Sequence, residues 1–585
     1  MATQTLAATG PTQAEATPAA ALQTLRHPVA MGLASAVLLA LAFPGQEADG
    51  WSGLAWFALA PLFGLVRSGR PRRSLYLGAW LGGFAFWLAS IRWVTWSDET
   101  AWLGWLVMAL ALSAWWPAFL GLSRLAVRRF GLPLMVAAPV TWVALEFIQG
   151  YAFTGFSWYY LAHTQYRVLP VIQIADFAGA WGPSFLLAMA NAWWVELVAG
   201  PRLRATPRGL RPTRPQVVRA ATLAAALLAT LAYGGYRLAT GRFRPGPTLA
   251  LLQSDMKQEY KARRTEGEVQ AIYERLAAIA LRDRPDLIVW PETSWPLPIP
   301  TIDPALSEAD LDRLVRARYP KDTAASYRLY ARAVTDHLHK MVDSARTPML
   351  LGSLSYEFRP GGLSRYNSAV LIAPRTASVR SYHKLHLVPF GEYVPLIEMF
   401  PWLTVLTPYR GETIPSLAFG TEAVGFDLAG LRYATVICFE DTVPRIARRF
   451  FAEAGRGRQP DVLLNQSNDG WFRGSAEPDM HLAISVFRAI ENRVPLARAA
   501  NTGISALIDG DGRIRQTLAK CQEGVLTVKV LLDDRVSLYS AWGDWFPGGC
   551  LAATFGLVVA GVVRSIRERR QIRQTARLAQ VPSVR

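Results

Sequence analysis

The sequence predicts an α-helical transmembrane bundle of about eight spans joined to a water-facing α/β domain. Three observations lead there. Charged residues make up 18% of the 585-residue chain and are concentrated between long uncharged runs, where an average soluble domain carries roughly 25%. Arginines are concentrated in every second connection. Between residues 246 and 535 the long apolar runs give way to short β-rich segments and amphipathic stretches.

A bilayer core takes about 20 mostly apolar residues per helix. Such runs lie near 29–44, 51–66, 74–96, 101–123, 132–150, 182–200 and 217–236, with another near 547–563. The first is short and follows Arg26, so it reads either as a span or as a cleaved signal peptide. Either reading sends the chain outward.

Arginines follow alternate runs. Arg67, Arg70, Arg72 and Arg73 come after the second, and Arg124, Arg128 and Arg129 after the fourth. Arg202, Arg204, Arg208, Arg211, Arg214 and Arg219 separate the sixth from the seventh, and a run from Arg564 to Arg585 follows the eighth. Connections of opposite parity, around 45–50, 97–100 and 151–181, carry almost none, so the positive-inside rule places both termini in the cytoplasm and 237–546 outside. The expected domains are a tail over 1–28, a seven-helix membrane domain over 29–236, an outer α/β domain over 237–546, a final span over 547–563 and a basic tail over 564–585.

The formal net charge of +18 is then a signature of topology. A nucleic-acid binder would cluster basic and aromatic residues on one folded face, and the outer domain is close to neutral, which excludes that class. The 3 cysteines, Cys438, Cys521 and Cys550, are too few and scattered for a disulfide framework or metal cluster.

Within the outer domain, Thr248–Gln253, Asp286–Trp290, Met349–Tyr356, Ser368–Ile372, Tyr433–Ile437, Val462–Asn465 and Ile504–Asp509 read as strands, being apolar, partly β-branched and bounded by turn residues. Residues 262–282, 325–345, 442–454 and 478–492 have helical spacing.

Strand ends hold side chains under tight positional control. Three reactive residues follow predicted strands or the loops after them: Glu292 in Trp290-Pro291-Glu292, Lys384 in Tyr382-His383-Lys384, and Cys438 opening Cys438-Phe439-Glu440. A thiol is only a few per cent thiolate at neutral pH, so a cysteine nucleophile needs a base and a positive charge beside it. Taken singly, a buried apolar cysteine, a turn carboxylate and a solvated lysine are the plainer readings.

The order and surroundings of the three change that. Together with Tyr366-Asn367-Ser368, His386-Leu387-Val388-Pro389-Phe390-Gly391-Glu392-Tyr393-Val394-Pro395, Ser467-Asn468-Asp469-Gly470-Trp471-Phe472, Arg488-Ala489-Ile490-Glu491-Asn492-Arg493 and Ala500-Asn501-Thr502-Gly503, they resemble the nitrilase (carbon–nitrogen hydrolase) superfamily and its Glu-Lys-Cys triad. With the membrane spans included, nearly the whole chain is similar to the apolipoprotein N-acyltransferase family. That resemblance implies a nitrilase-like four-layer α-β-β-α sandwich between the seventh and eighth spans. It also implies Glu292 as general base, Lys384 as stabiliser of the tetrahedral intermediate and Cys438 as acylated nucleophile. Glu392 becomes an accessory carboxylate, and Phe439 and Glu440 shape the nucleophile loop.

The chain departs from the family in several places. Phe439 stands where a tyrosine is usual, Gln253-Ser254-Asp255-Met256-Lys257-Gln258 replaces a Gln-Gly-Asn-Ile-Pro-Gln pattern, Ser157 replaces a usual proline, and residues 300–325 form a longer connection.

Independently of the resemblance, Leu385–Leu406 is rich in large apolar residues, among them Phe390, Met399, Phe400 and Trp402, yet Pro389, Pro395 and Pro401 forbid one continuous helix. An apolar loop of this kind in a water-facing domain must be buried, bind a partner or dip into a membrane. With Tyr393 it reads as a substrate arm. Trp542, Trp545 and Phe546, and Trp158, Tyr159 and Tyr160, read as interfacial aromatics, and Glu146 as an interfacial carboxylate.

The implied activity moves a fatty acyl chain from a phospholipid, through a cysteine thioester, to the α-amine of the diacylglyceryl-cysteine at the N-terminus of an apolipoprotein. The implied setting is the inner membrane of a diderm bacterium, with the catalytic domain on the periplasmic face. No cofactor is required, a monomer suffices, and His383, His386 and His481 are not spaced as metal ligands. Two other readings are a membrane-anchored amidase or nitrilase-type hydrolase, with water replacing the amine, and a non-catalytic lipid-binding protein.

Overall fold

A computed structural model describes residues 27–45, 49–199, 204–206, 209–211, 213–257, 261, 264–406, 416–452, 459–472 and 474–579. Residues 1–26 of the expected tail, with Arg202 and Arg208, Gln258 and the last six residues, lie outside the described residues.

The first part is helical: α1 (Pro28–Ala42), α2 (Ala60–Arg67), α3 (Arg72–Ser90), α4 (Ala101–Arg129), α5 (Leu134–Gln149), α6 (Trp181–Ala199) and α7 (Arg214–Ala239). Small residues let α1 and α3 pack backbone to backbone, since a Cβ on Gly32 would stand 2.0 Å from the Gly78 carbonyl oxygen. Length tests the expected spans unevenly. Three described helices are long and apolar enough to cross a membrane, namely Ala101–Arg129, Arg214–Ala239 and Trp545–Thr575, or four if Leu169–Ala178 and Trp181–Val198, bent by 120°, count as one. The helices Pro28–Ala42, Ser52–Arg67 and Leu134–Gln149 are shorter; at 1.5 Å rise, 15 residues reach only about 22 Å.

The α/β part carries two sheets. One has the order β13-β1-β2-β4-β5-β6, with β1 (Phe243–Gln253), β2 (Leu287–Val289), β4 (Met349–Arg359), β5 (Gly362–Ile372), β6 (Val379–His383) and β13 (Gly524–Asp533), while β3 (Ile299–Ile302) pairs with the far end of β4. The other has the order β12-β11-β10-β9-β8-β7, with β7 (Phe426–Leu428), β8 (Leu431–Ile437), β9 (Val462–Ser467), β10 (Leu496–Ala500), β11 (Ser505–Ile508) and β12 (Ile514–Leu518). The central pairs β1/β2, β2/β4, β8/β9 and β9/β10 are parallel, which leaves their carboxyl ends together.

Side-chain alternation builds the layers. Leu249, Leu251, Leu287, Val289 and Leu350 share a core with Ala434, Val436, Leu464 and Ala497 of the opposite sheet. Their neighbours Ala250, Leu252, Ile288 and Leu351 face outward, onto α8 (Glu266–Ala280) and α10 (Ala324–Ala345) through Tyr273, Leu276, Leu338 and Val342. On the other side α11 (Pro444–Ala452) and α12 (Glu477–Asn492) cover the second sheet. The four-layer α-β-β-α order is thus produced by period-2 burial on both sheets. Residues 300–325 add α9 (Glu308–Arg318), which packs Leu311 and Val315 on Tyr327, Tyr356 and Phe358 as a satellite core.

The sandwich is clamped to the helices by buried ions. Arg493 donates to Asp176 at 2.7 Å and to the Gln173 side chain at 2.7 Å, Arg237 pairs with Asp176 at 2.8 Å, and Glu491 accepts from the Ala180 amide at 2.9 Å. The last helix, α13 (Trp545–Ala579), returns along α5 and ties to α4 through Arg129 and Glu568 at 2.7 Å.

Two sequence expectations are corrected here. Glu146 is buried, because its carboxylate accepts from Trp142 Nε1 at 2.9 Å and from the Leu161 amide at 2.8 Å, a partnered alternative to reaching water. Trp158, Tyr159 and Tyr160 are likewise buried: Trp158 lies 5.5 Å from the His481 ring at the seam between helices and sandwich, and Tyr159 packs among Phe43, Phe86 and Trp87. Trp542 and Trp545 do remain exposed.

Candidate active site

Glu292, Lys384 and Cys438 converge at the carboxyl edges of the two sheets. Glu292 follows β2 and is held there from below. Trp290 is fully buried against Tyr273 with ring centroids 5.3 Å apart, and the Ser294 hydroxyl donates to the Pro291 carbonyl at 2.7 Å. Gly352 on β4 passes so close that only a hydrogen fits between the chains. Lys384 leaves the end of β6 with its amide bonded to the Asn367 carbonyl at 2.9 Å.

The Lys384 ammonium donates to Glu292 Oε1 at 2.9 Å and lies 3.0 Å from Glu392 Oε2. Asn367 Nδ2 donates to both Glu292 and Glu392 at 2.7 Å, and the Asn468 amide donates to Glu292 Oε2 at 3.0 Å. Burial alone would lower the Lys384 pKa, but the Glu292 and Glu392 carboxylates more than offset it and hold the ammonium well above its usual value. One cation thus sits between two carboxylates.

Cys438 ends β8 and opens a tight turn over Cys438–Thr442. Its φ of +51° is unusual for a residue with a side chain, and it projects the half-buried thiol away from the strand. Burial and then the Glu292 charge push the thiol well above its ordinary pKa, with Lys384 opposing. A thiol held this way needs a base before it can act as a nucleophile, and the Glu292 carboxylate lies within its electrostatic reach.

Glu440 sits behind the nucleophile. It accepts from the Ile437 amide at 2.7 Å, the Leu385 amide at 2.6 Å, the His386 amide at 3.0 Å and the Tyr382 hydroxyl at 2.9 Å, stapling the Cys438 turn to the Lys384 segment. Burial nonetheless raises its carboxyl to about 7. Phe439 stacks on His386 at 5.6 Å.

The arm runs on from the site. Phe390 (φ +62°) bonds its amide to the Tyr393 carbonyl at 2.7 Å, and Tyr393 packs on Phe419 at 5.0 Å. Beyond them Leu396, Met399 and Trp402 are 62%, 69% and 64% exposed, and the turn Pro401–Leu406 lies alongside α4. Trp402 is therefore on the arm and not in the triad.

The sequence gives Asn367 and Asn468 no role of their own, and it carries no signal for a buried charge lattice that starts in the Cys438–Thr442 turn. Asp441 meets His481 at 2.6 Å, Arg498 donates to Asp469 at 2.8 Å and to His481 Nδ1 at 2.7 Å, and Ser467 donates to Asp469 at 2.5 Å. Asp469, Glu477 and His481 form a group with metal-like geometry, and the Arg498 guanidinium is the cation that meets two of its members. Spacing hid this lattice because its members come from the nucleophile turn, a loop, α12 and β10.

A paired-sheet sandwich carrying a Glu-Lys-Cys cluster defines a carbon–nitrogen hydrolase-type protein, and the carbon-nitrogen hydrolase family model matches residues 248–539. The apolipoprotein N-acyltransferase N-terminal domain model matches residues 35–193. Among relatives, the apolipoprotein N-acyltransferase of Geobacter metallireducens is 34% identical over 93% of this chain and 96% of that protein. Those of Rhodopirellula baltica and Chlorobaculum tepidum are 29% and 28% identical, over 86% and 92% of this chain and 91% and 97% of theirs. The chain belongs to the apolipoprotein N-acyltransferase family and is an acyltransferase with a cysteine-based nitrilase-type site.

Proposed function

We propose that this enzyme transfers a fatty acyl chain from a membrane phospholipid to the N-terminal α-amine of a diacylglyceryl-cysteine on an apolipoprotein, with Cys438 as the carrier. The observation that carries the reading is the Lys384 ammonium held between Glu292 and Glu392 beside a thiol presented on a strained turn. Glu292 takes the thiol proton, and the sulfur attacks the ester carbonyl carbon. Lys384 stabilises the oxyanion; the C–O bond then breaks, the lysophospholipid alkoxide takes the proton back from Glu292, and a thioester remains. The acceptor amine next attacks the thioester carbonyl, passing a proton through Glu292 to the departing Cys438 sulfur, and an amide is released. Glu392 and Asn367 keep Glu292 and Lys384 in register, and Glu440 and Phe439 support the nucleophile turn.

The same reading places about eight spans in the inner membrane of a diderm bacterium, with the shorter helices completing the bundle. The arginine pattern supports both termini in the cytoplasm and the sandwich in the periplasm. The working domain limits are 29–236, 237–546 and 547–563, with cytoplasmic tails over 1–28 and 564–585. Donor and acceptor are both lipids, so the arm of Phe390, Tyr393 and Trp402 meets them at one interface, and a monomer suffices.

The test is intact-mass measurement of protein incubated with phospholipid, wild type beside Cys438→Ala. A fatty-acyl gain that hydroxylamine removes, that the variant lacks, and that discharges onto a diacylglyceryl peptide is expected. Discharge to water alone would turn the assignment to a hydrolase. Lipid retention with no adduct would turn it to lipid binding.

A further inference from the structure

Between the nucleophile and the outer end of α5 lies an electropositive edge that the acyl-transfer chemistry does not use. Arg445, at the start of α11, donates from Nη1 to the Gly150 carbonyl at 3.2 Å, and its guanidinium lies 4.7 Å from the centre of the Tyr151 ring. It forms no ion pair among the described residues, unlike Arg488, Arg493 and Arg498. The nearby carboxylate, Asp544, is engaged by the Tyr151 and Tyr539 hydroxyls at 2.5 and 2.9 Å. Arg445 can thus keep most of its donors for something else.

His386 is near enough to Arg445 for that charge to act on its ring. Its ring stacks on Phe439, next to Cys438, and its Nε2 is buried with no hydrogen-bond partner. The polar groups acting on that ring are Arg445, Lys384 and the Thr154 backbone; burial and the two cations press its pKa down to about 4, so it is a neutral imidazole. A buried ring nitrogen without a partner is costly, and a ligand that supplies one removes the cost.

Arginine is the side chain best matched to phosphate, through paired N–H donors, and the phosphate's negative charge favours protonation of the imidazole beside it, which gives Nε2 an N–H to donate. In a glycerophospholipid the phosphate is only a few bonds from the ester carbonyl that a nucleophile attacks. We propose that Arg445 and His386 form the phosphate-recognising edge of the donor site, gripping the lipid's phosphodiester while Cys438 attacks its ester. This rests on the acyl-transfer reading above. It assigns Arg445 to a group present in the donor and absent from simple acyl esters.

The experiment compares two donors on the full-length protein in detergent: a phospholipid, and a p-nitrophenyl fatty-acid ester that carries no phosphate. Acylation of Cys438 is followed by intact mass in wild type, Arg445→Gln and His386→Gln. The expected result for Arg445→Gln is a roughly 10- to 100-fold loss in kcat/KM with phospholipid, mostly in KM, and less than about a 2-fold change with the p-nitrophenyl ester. His386→Gln should lose in the same direction and by less. The p-nitrophenyl rate reports that each variant is folded. Equal losses on both donors would mark Arg445 as a structural tie to Gly150 and overturn the proposal, as would no loss on either. Millimolar inorganic phosphate should leave wild-type acylation by phospholipid unchanged; competitive inhibition that Arg445→Gln abolishes would reassign the edge to free phosphate. Absence of any Cys438 adduct from phospholipid in wild type, with the p-nitrophenyl adduct present, would instead fail the acyl-transfer reading itself.

Discussion

Gly352 lies directly beneath Glu292: a Cβ at position 352 would stand 2.7 Å from the Glu292 Cα and 2.1 Å from the Pro291 carbonyl oxygen. These are backbone atoms with no freedom to swing aside. Gly352→Ala is therefore expected to lift the Trp290-Pro291-Glu292 segment and misdirect the carboxylate, with acyl transfer falling about 100-fold and stability by about 1–3 kcal/mol. Gly352→Ala should be compared with Ser353→Ala, one residue along the strand, in the same acylation assay. Equal activity of the two variants would refute the close-packing account.

The electrostatics make an opposite-signed prediction for Glu292. Its charge helps hold the Cys438 thiol well above the ordinary range, second to burial, while Lys384 pulls the other way. Glu292→Gln removes one negative neighbour and keeps the ammonium, so the thiol pKa must fall. Alkylation of Cys438 by iodoacetamide at neutral pH should then speed up by about 10-fold per unit of that fall, while acyl transfer drops by about 1,000-fold for want of a base. In wild type the alkylation rate should keep climbing beyond the ordinary thiol range without a plateau. Peptide mapping separates Cys438 from Cys521 and Cys550. A slower alkylation in Glu292→Gln would contradict the assigned balance of charges.

How much of this was readable in the chain depends on how far each feature reaches along it. Strands such as Val462–Ser467 and Leu431–Ile437 announce themselves by local composition, and the triad sits just beyond such runs, so position and residue type sufficed. Strands with polar alternation, such as Ile514–Leu518, and the short Ile299–Ile302 left no local signal, because pairing partners alone create them. The burial of Glu146 leaves no local signal for a related reason. Its satisfaction comes from Leu161, fifteen residues on, in a loop whose return path no periodicity encodes. The Asp441–His481–Arg498–Asp469 lattice is likewise a product of tertiary structure.

The helix–sandwich clamp should be energetically concentrated in Arg493. Its guanidinium is fully buried and meets Asp176, Gln173, Asp511 at 3.3 Å and the Gly510 carbonyl at 3.1 Å. Arg493→Met strands part of that acceptor set in a dry interface, where breaking one side of a buried pair costs about 3–5 kcal/mol. Thermal unfolding in detergent should shift down by several degrees. An unchanged midpoint would mean that apolar packing, and not this clamp, holds the two parts together.

The arm makes a prediction that separates binding from chemistry. Leu396, Met399 and Trp402 are more than half exposed, and nothing in the triad touches them. In water such a cluster is unfavourable, by about 25 cal/mol for each Å² of apolar surface left uncovered, and the proposed function has lipid cover it. Replacing all three by serine should leave the fold and the p-nitrophenyl reaction intact, because the side chains support no core. With phospholipid in vesicles, the same variant should show a KM raised about 10-fold or more with kcat changed little, since the lost contacts bind the donor equally in ground and transition states. A fall in kcat on both donors would instead tie the exposed residues to the geometry of Lys384 and Glu392, through the intervening Phe390 and Tyr393. The two outcomes differ in which donor responds, so one pair of saturation curves decides between an arm that gathers lipid and one that braces the site.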